Sequence, residues 1–217
     1  MTAENAIALY LKYSGNKSVD IRVALVDCDG VLYDSMKNHT RAWVMFRRGA
    51  GKNLTDEEAW EYYKVKGRYF NELGEPEMMP GAKEVLQITK EAGLRNILVT
   101  GSNQPSILER IDSDYAGLFE AERVTGIDTK NGKPNPEPYL RGQQKANAKP
   151  GECIVIENAP LGVQAGHASG SFTIGVTTGP IPEKDLYKAG ADIVYPSMTA
   201  LAEALPSLLE ALRTTQL

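Results

Sequence analysis

The chain has 217 residues, 42% of them apolar and 24% charged, with a net charge of −4. That length supports one good-sized domain plus a small insert, burying roughly 70% of the surface an unfolded chain exposes. The mild acidity gives no electrostatic hold on nucleic acid or anionic membrane, and no apolar stretch reaches the ~20 residues of a membrane span.

The first segment, "MTAENAIALYLKYSGNK", has an early acid, Glu4, and an apolar run only from Ala6 to Leu11. That pattern argues against a signal peptide. The spacing of Ile7 and Leu11 predicts a short amphipathic helix on the domain edge. Next come short apolar runs that read as buried strands: 21–27, 95–101, a weaker one at 121–126, then 152–158, 171–177 and 191–196. Helical patterns alternate with them at 80–93, 104–112, 136–147, 159–170 and 198–205, where Pro206 is expected to end or kink the helix before "SLLEALR". Strands alternating with helices predict an α/β fold, a Rossmann-like doubly wound parallel sheet covered on both faces. Cys28 and Cys153 both fall in apolar runs and read as buried thiols, which suits a reducing, cytoplasmic setting.

One segment breaks the alternation. Residues 35–79 carry two helical patterns and no strand, with Gly49 and Gly51 as stop signals and Thr55 and Glu58 as a capping box. The expected organisation is therefore a core of residues 1–34 and 80–217 with a small helical cap at 35–79. Tyr62, Tyr63, Tyr69 and Phe70 would pack that insert, and Arg47 and Arg48 would suit a helix C-terminus.

"VALVDCDGVLYDS", residues 23–35, places Asp27 and Asp29 where an apolar run stops. In an open parallel sheet, ligands bind beyond the carboxyl ends of the strands. A near-extended backbone points both side chains the same way, and two converging carboxylates call for a cation. Mg²⁺ fits oxygen ligands of this kind, and Gly30 permits the turn. Other strand ends add to the same place. Thr100, Gly101 and Ser102 in "LVTGSN" offer a hydroxyl and backbone N–H groups to an anion. Lys133 lies in a loop stiffened by Pro134, Pro136 and Pro138, and Glu157 and Asn158 offer oxygens. Asp34 reads as a helix N-cap. Together these features point to phosphoryl chemistry on a small phosphorylated compound.

"DCDGVLYDS", "LVTGS", "GKPNPEPY" and "VIENAPLGVQAG" resemble, in order, the four motifs of the haloacid dehalogenase superfamily. The wording is closest to the β-phosphoglucomutase-like branch, and "VIENAPLGVQAGH" looks like its bacterial inorganic-pyrophosphatase members. The resemblance runs from about residue 21 to the end. It implies that Asp27 is a nucleophile forming an aspartyl-phosphate and that Asp29 is the general acid/base. It implies that Thr100, with Gly101 and Ser102, holds the phosphoryl group and that Lys133 neutralises it. It implies that Asp27, Asp29 through its backbone carbonyl, Glu157 and Asn158 hold or orient Mg²⁺. A carboxylate of pKa ~3.9 would already be ionised at neutral pH. His39 stands where mutase relatives carry a histidine near the acid/base, whereas His167 reads as structural. Many relatives have aspartate in place of Asn158, which would weaken the metal site, while the pyrophosphatase-like members share the asparagine. The cap lacks the Gly-Arg-Thr loop of relatives, so hydrolysis of pyrophosphate or a sugar phosphate is expected ahead of mutase chemistry. A non-catalytic phosphate-binding module is the remaining alternative. A monomer or weak homodimer is expected.

Overall fold

In the computed structural model, residues 1–38, 68, 72–102 and 104–216 are described. Most of the proposed cap, residues 39–67 and 69–71, lies outside these residues, and with it His39, Arg47, Arg48, the Gly49 and Gly51 stops, the Thr55–Glu58 box and the aromatic cluster Tyr62, Tyr63, Tyr69 and Phe70.

Six parallel strands form one sheet in the order β3-β2-β1-β4-β5-β6. They are β1 Val23–Val26, β2 Arg95–Val99, β3 Arg123–Val124, β4 Cys153–Glu157, β5 Phe172–Val176 and β6 Ile193–Tyr195. Each matches a predicted run, trimmed at its ends. Burial on both faces explains why these strands read as continuous apolar stretches. Along β1, Ala24 and Val26 belong to one core cluster, and Val23 and Leu25 to the other. That alternation is the period of two of a strand lying between two layers.

The larger layer is made by α1 (Ala3–Ser14), α2 (Ala82–Glu91), α3 (Pro105–Asp114) and a long C-terminal helix, α7 (Met198–Thr214). The other layer holds α4 (Glu137–Lys145) and α5 (Pro160–Ala168), with a short α6 (Glu183–Ala189) beside them. Thr2 caps α1 by accepting a hydrogen bond from the Asn5 N–H, and left-handed Gly15 ends it. Ile7, Tyr10 and Leu11 bury its inner face, so this helix is part of the core and not an edge decoration.

Helix α7 does not end at Pro206, one of the two outcomes expected there. It runs unbroken through that residue. Pro206 lies on the exposed side, so the missing N–H falls where the helix faces solvent. Leu205, Leu208, Leu209 and Leu212 hold both halves against the core, each side chain contributing roughly 1.5–3 kcal/mol. Gly81 lets α2 meet this helix closely: its φ is 87°, and a Cβ there would lie 2.3 Å from the Thr199 nitrogen. Both cysteines are free and buried. Among the described residues no helix is long and apolar enough to cross a membrane.

Candidate active site

Strand register brings the predicted residues to one level. Val26 pairs with Leu98 on one side and Ile156 on the other. The next step along each chain is therefore Asp27, Val99 and Glu157, and Thr100 follows immediately. The Asp27 N–H still donates to the Ile156 carbonyl at 3.2 Å, which carries the ladder up to the site.

Lys133 joins the two carboxylates. Its Nζ donates to Asp27 Oδ1 at 2.5 Å and to Glu157 Oε1 at 2.6 Å. Its side chain is 18% exposed, against 12% for Asp27 and 1% for Glu157, so the contacts lie in a low-dielectric setting where charge counts most. Burial works against the lysine's charge. Asp27 and Glu157 together override it and hold the ammonium well above its ordinary value. Asp27 responds differently. Burial first, then the Glu157 carboxylate, push it up to about 7 against the opposing pull of Lys133.

Glu157 is fully engaged. Oε1 also accepts from the Tyr139 hydroxyl at 2.9 Å, and Oε2 accepts from the backbone N–H groups of Asn158 and Ala159 at 2.9 and 3.2 Å. Gly162 makes room for it: a Cβ there would sit 1.7 Å from Oε1. Asn158 is the opposite case. It is 2% exposed, yet neither its amide nitrogen nor its oxygen has a hydrogen-bond partner. A buried polar group in that state costs about 1–3 kcal/mol. The amide lies against Gly30, where a Cβ would approach its nitrogen to 1.8 Å and where φ is 75°.

Asp29 accepts a 2.6 Å hydrogen bond from the Ser35 hydroxyl. Thr100 is buried, and its Oγ1 accepts from the Ser102 N–H at 3.1 Å, closing a tight turn. A Cβ at Gly101 would meet nothing within 4 Å, so close packing does not require that glycine. Asp34 pairs with Lys37 at 3.3 Å next to the helical turn that begins at Met36. His167 packs on Tyr13 with ring centroids 5.1 Å apart and lines a cavity with residues that precede β1 and β4, away from Asp27.

Tyr139, Ser35 and Gly162 were not singled out from the sequence. Tyr139 ends the quoted "GKPNPEPY", and its ring also lies 5.0 Å from the Lys133 ammonium. Its place in the first turn of α4, after the proline-stiffened loop, was the available signal.

Among the described residues, no three His, Cys, Asp or Glu side chains gather into a ready metal site. The oxygen donors that remain are of mixed kind: the carboxylate of Asp27, backbone carbonyls such as that of Asp29, and the amide oxygen of Asn158. The unpartnered Asn158 Oδ1 beside the Asp27–Gly30 turn is what a hard cation such as Mg²⁺ would satisfy, so the residues fit that ion.

A doubly wound parallel sheet with this carboxylate–lysine arrangement at its carboxyl edge defines a class, and the chain belongs to it: it is a haloacid dehalogenase-like hydrolase, matching that family over residues 47–170. Hexitol phosphatase A of Escherichia coli is 32% identical over 178 residues, covering 70% of this chain and 81% of that one. A phosphorylated carbohydrates phosphatase of Thermotoga maritima is 29% identical, over 79% of this chain and 92% of that one. Among solved structures, a Bacteroides vulgatus protein provisionally named a beta-phosphoglucomutase superposes with a TM-score of 0.91 at 39% identity, with 98% of each chain covered.

Proposed function

We propose that this chain is a Mg²⁺-dependent phosphohydrolase that cleaves a phosphorylated sugar or sugar alcohol through an aspartyl-phosphate on Asp27. The observation that carries the reading is Lys133 bridging Asp27 and Glu157 at 2.5 and 2.6 Å, beside the unpartnered Asn158 amide.

In this reading, a carboxylate oxygen of Asp27 attacks phosphorus and the bond to the leaving oxygen breaks. Asp29, oriented by Ser35, delivers a proton to that oxygen. Asp29 then takes a proton from water as the water attacks the aspartyl-phosphate, releasing inorganic phosphate and restoring Asp27. Thr100 and the turn it forms with Ser102 hold the phosphoryl oxygens. Lys133 balances their charge, the electrostatic contribution that dominates such transfers. Asp27, the backbone carbonyl of Asp29 and Asn158 would hold Mg²⁺, which would supply further neutralisation of the phosphoryl oxygens. Glu157, whose oxygens already accept four hydrogen bonds, orients Lys133 and the turn at Asn158 and Ala159 without ligating the metal itself.

The names of the relatives support a carbohydrate phosphate over pyrophosphate. The test is a panel of hexose and hexitol phosphates with pyrophosphate and Mg²⁺, run on the wild type and Asp27→Asn. The expected result is phosphate release from carbohydrate esters that Asp27→Asn lowers by at least about 10³-fold, with folding intact. Pyrophosphate as the preferred substrate would overturn the substrate class. An Asp27→Asn variant retaining a tenth of wild-type kcat would overturn the nucleophile.

A mutase is the second reading, favoured by the provisional name of the Bacteroides vulgatus neighbour. Phosphorus NMR of β-glucose 1-phosphate with a bisphosphate primer separates the two. Glucose 6-phosphate forming faster than inorganic phosphate supports the mutase, and the reverse supports the hydrolase.

A further inference from the structure

Helix α3 follows the Thr100–Ser102 turn, and its second half packs on Tyr33. There Arg110 lies over the Tyr33 ring, 4.5 Å from ring centre to guanidinium carbon. Its Nε donates to Asp114 Oδ2 at 3.1 Å, and the Tyr33 hydroxyl donates to the same oxygen at 3.0 Å. Tyr115 closes the third side, stacking edge-on against Tyr33 at 5.8 Å and donating its hydroxyl to the Leu32 carbonyl. Arg110 Nη1 is buried with no hydrogen bond. Glu75, 83% exposed, reaches only to 3.6 Å from it, too long for a hydrogen bond. The guanidinium is thus held by the ring and by Asp114.

Tyr33 is the joint on which Asp29 depends. Its carbonyl accepts from the Gly30 N–H and the Ser35 N–H, both at 2.8 Å. Gly30 follows Asp29 in the chain, and Ser35 hydrogen-bonds the Asp29 carboxylate. Tyr33 also bridges to Met78, while the Asp34 N–H donates to the Glu77 carbonyl at 2.9 Å. One aromatic residue therefore sets the backbone and the side-chain anchor of Asp29 and ties both to the segment at 77–79.

We infer that Arg110 is a positioning residue: by clamping Tyr33 against Asp114 and Tyr115, it aims the Asp29 carboxyl at the leaving-group oxygen. This rests on the proposed role of Asp29 as general acid. A misaimed acid harms only substrates whose leaving group needs a proton. Hexitol phosphates leave as alkoxides and need one; p-nitrophenyl phosphate leaves as a stable phenolate and does not. Because kcat/KM reports steps up to the first phosphoryl transfer, it isolates the acid role from the later base role.

The experiment measures kcat/KM for a hexitol 6-phosphate and for p-nitrophenyl phosphate in the wild type, Arg110→Met, Arg110→Lys, Tyr33→Phe and Asp29→Asn. Arg110→Met should lose about thirty-fold on the hexitol ester and less than about three-fold on p-nitrophenyl phosphate. Arg110→Lys, which keeps a cation over the ring, should recover part of the loss. Tyr33→Phe, which keeps the ring and drops only the bond to Asp114, should lose about five-fold with the same selectivity. If Arg110→Met fails to fold, Tyr33→Phe decides alone. Equal losses on both substrates, or none, overturn the inference, provided Asp29→Asn does show the selectivity. If Asp29→Asn shows no selectivity, the acid role itself falls and the inference falls with it.

Discussion

The two ends of the sheet handle buried polarity in opposite ways. At the carboxyl edge, Asp27 and Glu157 share one cation and the Asn158 amide has no hydrogen bond. At the amino edge, the polar groups close among themselves. The Tyr10 hydroxyl donates to the Gly170 carbonyl at 2.9 Å, and the Tyr13 hydroxyl donates to Asp192 Oδ1 at 2.7 Å. The Thr173 N–H donates to Asp192 Oδ2 at 2.6 Å, and Gln143 donates to the Ser169 carbonyl and the Ser171 hydroxyl. A satisfied network makes a rigid foot for the sheet. An unsatisfied one holds valence in reserve for a ligand. The same strands carry both, so disturbing one end should leave a different signature from disturbing the other.

The largest expected effect comes from removing the shared cation. Lys133→Met leaves two carboxylates buried beside each other. It should lower kcat by more than about 10³-fold and cost about 3–5 kcal/mol in urea unfolding, the usual result of breaking a buried pair. Retained stability would mean that one carboxyl takes up a proton at little cost. Gly162→Ala attacks the same edge by volume. Its Cβ would overlap the Glu157 carboxylate, so a loss of about 1–3 kcal/mol is expected. A fall in activity of roughly a hundred-fold should accompany it, because Lys133 loses its second anchor. Activity equal to wild type would show that Glu157 can be moved without moving Lys133.

At the amino edge the signature is pH. Burial raises Asp192 to about 6, against the N–H of Thr173 and the hydroxyl of Tyr13. The folded state therefore holds this proton more tightly than the unfolded chain does. The resulting stabilisation is present in full below the unfolded pKa of ~3.9 and is lost as pH rises through about 6. Asp192→Asn removes the titration. Its stability relative to wild type should rise by up to ~3 kcal/mol between pH 4 and pH 7, read from paired chemical melts, with kcat unchanged. A difference independent of pH would show that Asp192 does not titrate differently on folding.

The smallest effect sharpens the contrast. Asn158→Asp adds a carboxylate next to Gly30, so the protein without metal should melt lower and the shift in Tm on adding Mg²⁺ should grow. The half-saturating Mg²⁺ concentration should fall several-fold, within the 0.3–1.5 kcal/mol range of a modest charge contact. An unchanged Mg²⁺ shift would place Asn158 outside the metal's reach.

Much of this contrast is visible in the chain itself, at one end more than the other. The strands read as continuous apolar runs because both faces are buried, and Asp27, Thr100 and Glu157 stand where those runs stop. Lys133 was legible from its proline-flanked loop. Its grip on two carboxylates depends on the register of β1 with β4, which no local pattern states. Tyr139 was hidden for a similar reason, since a tyrosine in a helical pattern reads as core until the strand beneath it is known. Helix α6 escaped notice because its seven residues bury only Leu186 and Ala189, too few to show a period. The Asp192 network involves partners far apart in sequence, so "GADIV" looked only like a strand start. Pro206 does not end its helix: propensity counts the lost hydrogen bond and not the leucines that hold the helix on either side.

The strand order also dictates when a chain of this kind becomes active. β1 is the first strand made and sits near the middle of the sheet, between β2 and β4. Val23 pairs with Arg95 on one side but must wait for Cys153 on the other. During synthesis, Asp27 therefore emerges early on a strand with one open edge, and Glu157 is among the last residues needed to close it. Such long-range closure is slow and leaves an exposed strand edge in the meantime. Chains released before β4 should thus be inactive and prone to aggregate. A fragment carrying β4 to α7 should restore activity when refolded with its complement, whereas either piece alone gives none.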